Sequence, residues 1–199
     1  MSDFDPTIEY YNQNAEAFAE GTINADMSDA QNRFIAYLKP QSHIFDIGCG
    51  SGRDSKFFID NGFNVTAMDA SQKLCVYASN MIKKEVLCMT FDQINFKESF
   101  DAAWACASLL HISKSEIITV LKKISDSLKT DGVFYASFKY GTEERESNGR
   151  VFSDYTETDI PHLFSSETNL KCIEYWISTD VRPERESEKW LNIISRKNY

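Results

Sequence analysis

From residue 44 onward, short apolar runs alternate with longer segments of helical periodicity, and that alternation predicts the fold class. Ile44 to Ile47, Asn64 to Met68, Glu85 to Cys88, Asp101 to Ala105 and Val133 to Phe138 read as strands, and Arg53 to Asn61 and Ser71 to Lys83 as helices between the first three. Ile117, Leu121, Ile124 and Leu128 share one helical face. Ser113-Lys-Ser-Glu116 offers a capping box at its start, and Thr130-Asp131-Gly132 ends it before the fifth strand. Strands alternating with helices imply an α/β architecture, a doubly wound and mostly parallel sheet covered on both faces. Leu170 to Ser178 and Lys189 to Arg196 follow without a helix between them, so they pair antiparallel or cross at an edge, and they bring the strands to seven.

Upstream, Tyr10 to Phe18 has a helical pattern, and a second helix starts at Ser28 and carries Phe34, Ile35 and Leu38 until Pro40 stops it. Gly141 to Gly149 is polar and reads as a mobile loop, and Thr156 to Phe164 reads as a helix whose start Pro161 blurs. The expected organisation is one domain over 1–199, with 1–40 as a helical lid on a core from 41 to 199.

Composition narrows the functions. The net charge of −9 repels phosphate backbones, which disfavours nucleic acid as a partner. No apolar run approaches the roughly 20 residues of a membrane span, and Met1-Ser-Asp-Phe-Asp-Pro6 lacks the basic start and apolar stretch of a signal peptide. No membrane partner is expected, and the location expected is cytoplasmic. Cys49, Cys75, Cys88, Cys106 and Cys172 are odd in number and contain no C-x-x-C pair, so reduced thiols are expected rather than disulfides or a metal site.

The chemistry concentrates in His43-Ile-Phe-Asp46-Ile-Gly48-Cys-Gly50-Ser-Gly52-Arg53, where a strand meets glycine at every second position. Such a turn bends sharply and lets backbone approach a ligand closely. Arg53 stands where the dinucleotide fingerprint needs glycine, and the Gly-Lys-Ser/Thr ending of a Walker loop is absent. With Asp69 closing the next strand, the segment resembles motif I of the class I S-adenosylmethionine-dependent methyltransferases. Ser99-Phe-Asp101-Ala-Ala-Trp104 and Leu128-Lys-Thr-Asp-Gly132-Val-Phe-Tyr135 look like the fourth and sixth motifs of that family, in order. Over its whole length the chain is similar to the small group often labelled tellurite-resistance-like.

The resemblance implies the class I methyltransferase fold, its seven-stranded sheet closed by an antiparallel C-terminal hairpin, with S-adenosyl-L-methionine as cofactor and S-adenosyl-L-homocysteine as product. Gly48, Cys49 and Gly50 would pass beneath the methionine moiety, with Asp46 accepting from its ammonium or from an ordering water. Asp69 would take both ribose hydroxyls, a bidentate task suited to a short carboxylate, with Ala70 and Ser71 near the adenine; Ser71 reads equally well as a helix N-cap. Thr90 stands where the family often carries an acid, leaving the base to the backbone and ring of Phe91. Ala105 and Cys106 would line the methionine arm, Arg53 would face a carboxylate or solvent, and Tyr11 would lid the site with its hydroxyl near the cofactor carboxylate.

Methyl transfer needs donor and acceptor held in line and water excluded. His111, just past the fourth strand, is the candidate general base, and Tyr140 joins it as a candidate catalytic residue at the end of Ser137-Phe138-Lys139-Tyr140. Asp180-Val-Arg182-Pro and Trp190-Leu-Asn192 would close the pocket, and Arg150 and Arg182 would suit an anionic acceptor. No cysteine follows a proline and no Asn/Asp-Pro-Pro-aromatic sequence is present, which disfavours two routes of nucleic-acid methylation. The expected partner is a small-molecule acceptor; an RNA or protein methyltransferase and a non-catalytic cofactor-binding module are the alternatives. Oligomeric state stays open.

Overall fold

The computed structural model describes residues 5–198. Five parallel strands form the centre: β1 (His43–Ile47), β2 (Asn64–Asp69), β3 (Leu87–Cys88), β4 (Phe100–Ala105) and β5 (Leu128–Lys139). With the hairpin of β8 (Leu170–Thr179) and β9 (Lys189–Lys197), the sheet runs β3-β2-β1-β4-β5-β9-β8, and β9 lies antiparallel to both neighbours. The doubly wound seven-stranded sheet expected from the sequence is therefore present. Chain order reverses between β1 and β4, so a crevice opens beyond the carboxyl ends of those strands.

Alternation along each strand feeds two cores. Ala102 and Trp104 of β4 face α3 (Ser28–Ile35), α4 (Arg53–Asp60) and α5 (Gln72–Ile82), where the Trp104 ring stacks on Tyr135 at 3.9 Å and meets Phe34 at 5.0 Å. Ala103 and Ala105 face α6 (Ile117–Ser127), beside Phe45 stacked on Phe100 at 4.5 Å. Among the described residues no helix is long and apolar enough to cross a membrane.

Several expectations change. The first helix divides at Asn14 into α1 (Pro6–Gln13) and α2 (Ala15–Thr22): Asn14 leaves helical geometry and its side-chain amide donates to Tyr10 O at 2.8 Å. α3 stops at Ile35, before Leu38, because the chain turns through 3-10 bonds ahead of Pro40. The capping box does not form: Ser113 Oγ donates to Glu116 Oε2 at 2.6 Å, so the two side chains satisfy each other, and α6 starts at Ile117. α6 ends at Ser127 rather than at 130–132, since Leu128 already pairs with Phe100 in a strand that bulges before Val133.

The largest change concerns 141–149. Instead of a structureless loop, the chain forms a second sheet of β6 (Glu144–Ser147) and β7 (Arg150–Ser153). Asn148 and Gly149 turn it with φ of 52° and 73°, both left-handed. An Asn-Gly pair is the favoured two-residue hairpin turn. Beyond it, the helix expected over 156–164 shrinks to a 3-10 turn at Glu157–Asp159 followed by α7 (Ile160–Leu163), with Pro161 in the first turn.

Candidate active site

The glycine turn sits at the reversal point. Gly48 and Cys49 both donate their N–H to Met68 O at 2.9 Å, which ties the turn to the end of β2. Gly48, Gly50 and Gly52 all have φ between 56° and 83°. A Cβ on Gly48 would stand 2.5 Å from Ser108 Cβ, and one on Gly50 would stand 3.1 Å from the Phe18 ring. Main chain is therefore the only surface the turn can present at Gly48.

Asp69 ends β2 beside this turn. Its Oδ2 accepts Gly50 N–H at 2.9 Å and its Oδ1 accepts Ser71 N–H at 2.8 Å. A carboxylate has about four lone-pair sites, so acceptor capacity remains for hydroxyl groups. Burial raises its carboxyl above the usual range, opposed by these backbone donors.

The turn opens onto a cavity of about 770 Å³, within the range that holds a cofactor-sized ligand and a small second molecule. Cys49, Gly50, Asp69, Ala70 and Phe91 form one end of its wall, while α1 and α2 contribute Tyr10, Tyr11 and Phe18. His111, β6 and β7, and the β8–β9 connection with Asp180 and Arg182 complete the wall. Ser137, Lys139, Trp190 and Asn192 line the cavity as the sequence suggested.

Other candidates lie elsewhere. Asp46 is beneath the turn, outside the wall, where its Oδ2 accepts from Ser55 Oγ at 2.5 Å. Burial, reinforced by nearby Asp54, pushes its carboxyl up to about 8, so it braces the loop as a largely protonated group and has no side-chain access to a ligand ammonium. Ser71 caps α5, accepting Leu74 N–H at 3.3 Å and donating to Asn12 Oδ1 at 2.8 Å. Thr90 caps the 3-10 turn Phe91–Gln93, and Ala105 is fully buried in the core. Tyr140 leaves β5 on the wrong side of the cavity wall: its hydroxyl donates to Glu157 at 2.8 Å, and that carboxylate raises its pKa.

Arg53 reaches the wall but is committed. Its Nε and Nη2 hold the two oxygens of Asp54 at 2.8 and 2.9 Å. Asp54 also accepts Gln31 Nε2 at 2.8 Å and Trp104 Nε1 at 2.9 Å, and although burial opposes it, these donors keep its carboxyl lowered. A buried acid at the start of α4 was the available sign of this network. Cys106 lines the cavity with its thiol pushed up to about 12 by burial, so it is no nucleophile.

His111 and Tyr11 form a pair. His111 Nδ1 lies 2.7 Å from Val151 O, and Nε2 lies 2.8 Å from the Tyr11 hydroxyl. A carbonyl only accepts, so Nδ1 carries the proton and Nε2 accepts from Tyr11. Burial lowers the imidazole to about 4, and Arg150 adds to that, while the Val151 carbonyl opposes it. The expected direct base is therefore a neutral ring that positions Tyr11, and the single Tyr11 proton points to His111 rather than to a ligand carboxylate.

Comparison with known proteins finds a matching family model, relatives and solved structures of the same fold. Residues 44–132 match the family described as "Methyltransferase domain". Bacillus subtilis YqeM is 27% identical over 142 residues, 66% of this chain and 56% of that one, so the chain spans little more than half of that relative. The solved structure of the 1,6-didemethyltoxoflavin-N1-methyltransferase of Burkholderia thailandensis, holding its acceptor and S-adenosylhomocysteine, superposes with TM-score 0.77 at 20% identity, over 96% of this chain and 85% of that one. A TehB-like SAM-dependent methyltransferase from Corynebacterium glutamicum gives TM-score 0.69 at 17% identity, over 96% and 98%.

Proposed function

We propose that the chain is a class I S-adenosylmethionine-dependent methyltransferase, a reading supported by the methyltransferase-domain match and the shared fold, and that it transfers a methyl group from S-adenosylmethionine to a small-molecule acceptor held beside His111, β6 and β7. The observation that carries this reading is the junction of a side-chain-free turn at Gly48 with a buried carboxylate at Asp69, both lining one cavity. The cofactor supplies an electrophilic methyl carbon: the acceptor's lone pair forms the new bond, the sulfur–carbon bond breaks, and its electron pair stays on sulfur as S-adenosylhomocysteine.

The residues fit that cofactor. Gly48, Cys49 and Gly50 present backbone to the methionine arm, Asp69 takes the ribose hydroxyls through its free lone pairs, and Phe91 with Ala70 flanks the base. α1, α2 and the β6–β7 hairpin act as the lid that keeps water out. Tyr11 Oη donates its proton to His111 Nε2 and faces the Arg150 side chain, so its hydroxyl gives the wall a fixed polar edge beside the acceptor. A small acceptor is supported by the Burkholderia neighbour, whose structure holds a small molecule beside S-adenosylhomocysteine.

Calorimetric titration with S-adenosylmethionine and S-adenosylhomocysteine tests the reading. We expect micromolar binding, about −8 kcal/mol, and a loss of about 2 kcal/mol in Asp69→Ala from the unmade hydroxyl bonds, the melting temperature serving as folding control. Equal affinity in wild type and Asp69→Ala would remove the ribose assignment.

A further inference from the structure

Every arginine and lysine that lines the cavity except Arg150 has a carboxylate partner, while the Asp69 carboxylate on the same wall has no cation in ion-pair contact among the described residues. Arg53 holds Asp54, Arg182 holds Asp180 at 2.5 Å, Arg145 holds Asp154, and Lys139 and Arg185 share Glu188. Arg150, the first residue of β7, lines the same cavity and has no carboxylate within ion-pair distance among the described residues. Its guanidinium carbon lies 4.0 Å from the Tyr10 ring centroid, 5.0 Å from Phe152 and 5.8 Å from Tyr11. Its Nε is buried without a hydrogen-bond partner.

A buried donor on a charged group is costly to leave unmet. Three aromatic rings and the Tyr11 hydroxyl already hold this guanidinium in place while its Nε stays unmet, so what it lacks is an anion. S-adenosylmethionine carries one negative and two positive charges, so it brings no net negative charge to the cavity. Arg150 also lies outside 44–132, the segment that carries the family match and the turn, Asp69 and Phe91.

Resting on the function proposed above, we propose that the acceptor carries a carboxylate and that Arg150 receives it, bidentately, beside the Tyr11–His111 pair. Arginine matches a carboxylate with two parallel hydrogen bonds, and the rings of Tyr10 and Phe152 give the apolar body of the acceptor a wall. A 770 Å³ cavity exceeds what an inorganic oxyanion fills, so the anion is a substituent on an organic molecule.

Calorimetry on the protein saturated with S-adenosylhomocysteine tests this, with benzoate and hexanoate as probes and benzamide and hexanamide as their uncharged counterparts. Each acid is expected to bind at least tenfold more tightly than its amide. Arg150→Gln should abolish that preference, and Arg150→Lys should keep part of it. Acids that bind no better than amides, or a preference that survives Arg150→Gln, overturn the proposal. So does a loss of S-adenosylhomocysteine affinity in Arg150→Gln without any loss for 5′-methylthioadenosine, because the cation would then hold the cofactor's own carboxylate. A wild type that binds no S-adenosylhomocysteine at all brings down the methyltransferase reading and this inference with it, a result separable from the others because it appears before any acid is added.

Discussion

The two ends of the cavity are built in different ways. The turn end is contiguous: Gly48 to Arg53 and Asp69 come from one strand-turn-helix-strand unit, joined by Gly48 and Cys49 to Met68 and by Gly50 to Asp69. The far end is assembled from pieces remote in the chain, such as Tyr11 bonded to His111, His111 bonded to Val151, and Arg150 against Tyr10. A motif written in one stretch can be rigid through its own backbone bonds. An assembled end depends on the lid packing that brings its parts together, which lets the acceptor side vary while the cofactor side stays fixed.

Glycine substitutions offer the sharpest way to break that contrast. Gly48→Ala places a methyl 2.5 Å from Ser108 Cβ at a φ of 74°, with no open side to escape to. We expect a cost of about 3 kcal/mol or more, a fall of roughly 6–12 °C in melting temperature, and loss of cofactor binding. Gly149→Ala has nearly the same φ, 73°, but no atom nearer than 3.9 Å. It should cost only about 1 kcal/mol and leave S-adenosylhomocysteine affinity within twofold. Equal effects on cofactor binding from both would show that the turn and the lid are one unit.

The same division decided what the sequence could reveal. β1, β2, α4 and α5 were legible because each obeys a local rule: an apolar run, a helical stripe, a glycine where φ is positive, a serine cap at Ser71. Asp69 followed from its position at a strand end. Asp46 was misassigned because sequence shows that a carboxylate ends near a turn but not that Ser55, nine residues later, closes over it. Thr90 and Tyr140 failed for a related reason, since a cap and a distant Glu157 captured their hydroxyls. Asn148-Gly149 did carry a local hairpin signal, which the surrounding charges masked. The ring of Tyr10, Tyr11, His111, Arg150 and Phe152 spans more than a hundred positions, and no periodicity encodes such a contact.

A second test concerns the support beneath the turn. Asp46 titrates near 4 when unfolded and is held up to about 8 in the fold by burial. Between those values the native state binds a proton that the unfolded chain lacks, so stability falls as pH rises from 4 towards 8 and then levels. His111 acts oppositely: its folded value of about 4 lies below its unfolded value, so its contribution is present above about 6.5 and lost as pH falls towards 4. Between pH 6.5 and 8 the Asp46 effect is the isolated one of the two. Wild type should lose up to about 2 kcal/mol over that interval, while Asp46→Asn, which keeps the shape without the charge, should show a flatter profile in pH-dependent thermal melting.

The smallest expected effect probes the assembled end. Tyr11→Phe keeps the ring contacts with Phe18 at 5.1 Å and His111 at 5.4 Å and removes only the hydroxyl. His111 Nε2 then loses its donor, at a cost of about 1 kcal/mol, or 2–4 °C. If the hydroxyl serves the acceptor, S-adenosylhomocysteine affinity should stay within twofold while kcat/KM for a methylated acceptor drops about tenfold, near 1.4 kcal/mol. NMR of the imidazole adds an independent reading. Tyr11, Arg150 and Asp5 are the titratable or charged groups that act on it, and burial dominates all three, so the His111 ring should remain in the neutral Nδ1–H form down to about pH 5. A His111 titration near 6.5, or a cofactor affinity that falls with Tyr11→Phe, would move this pair from the acceptor end to the cofactor end and dissolve the division between contiguous and assembled halves.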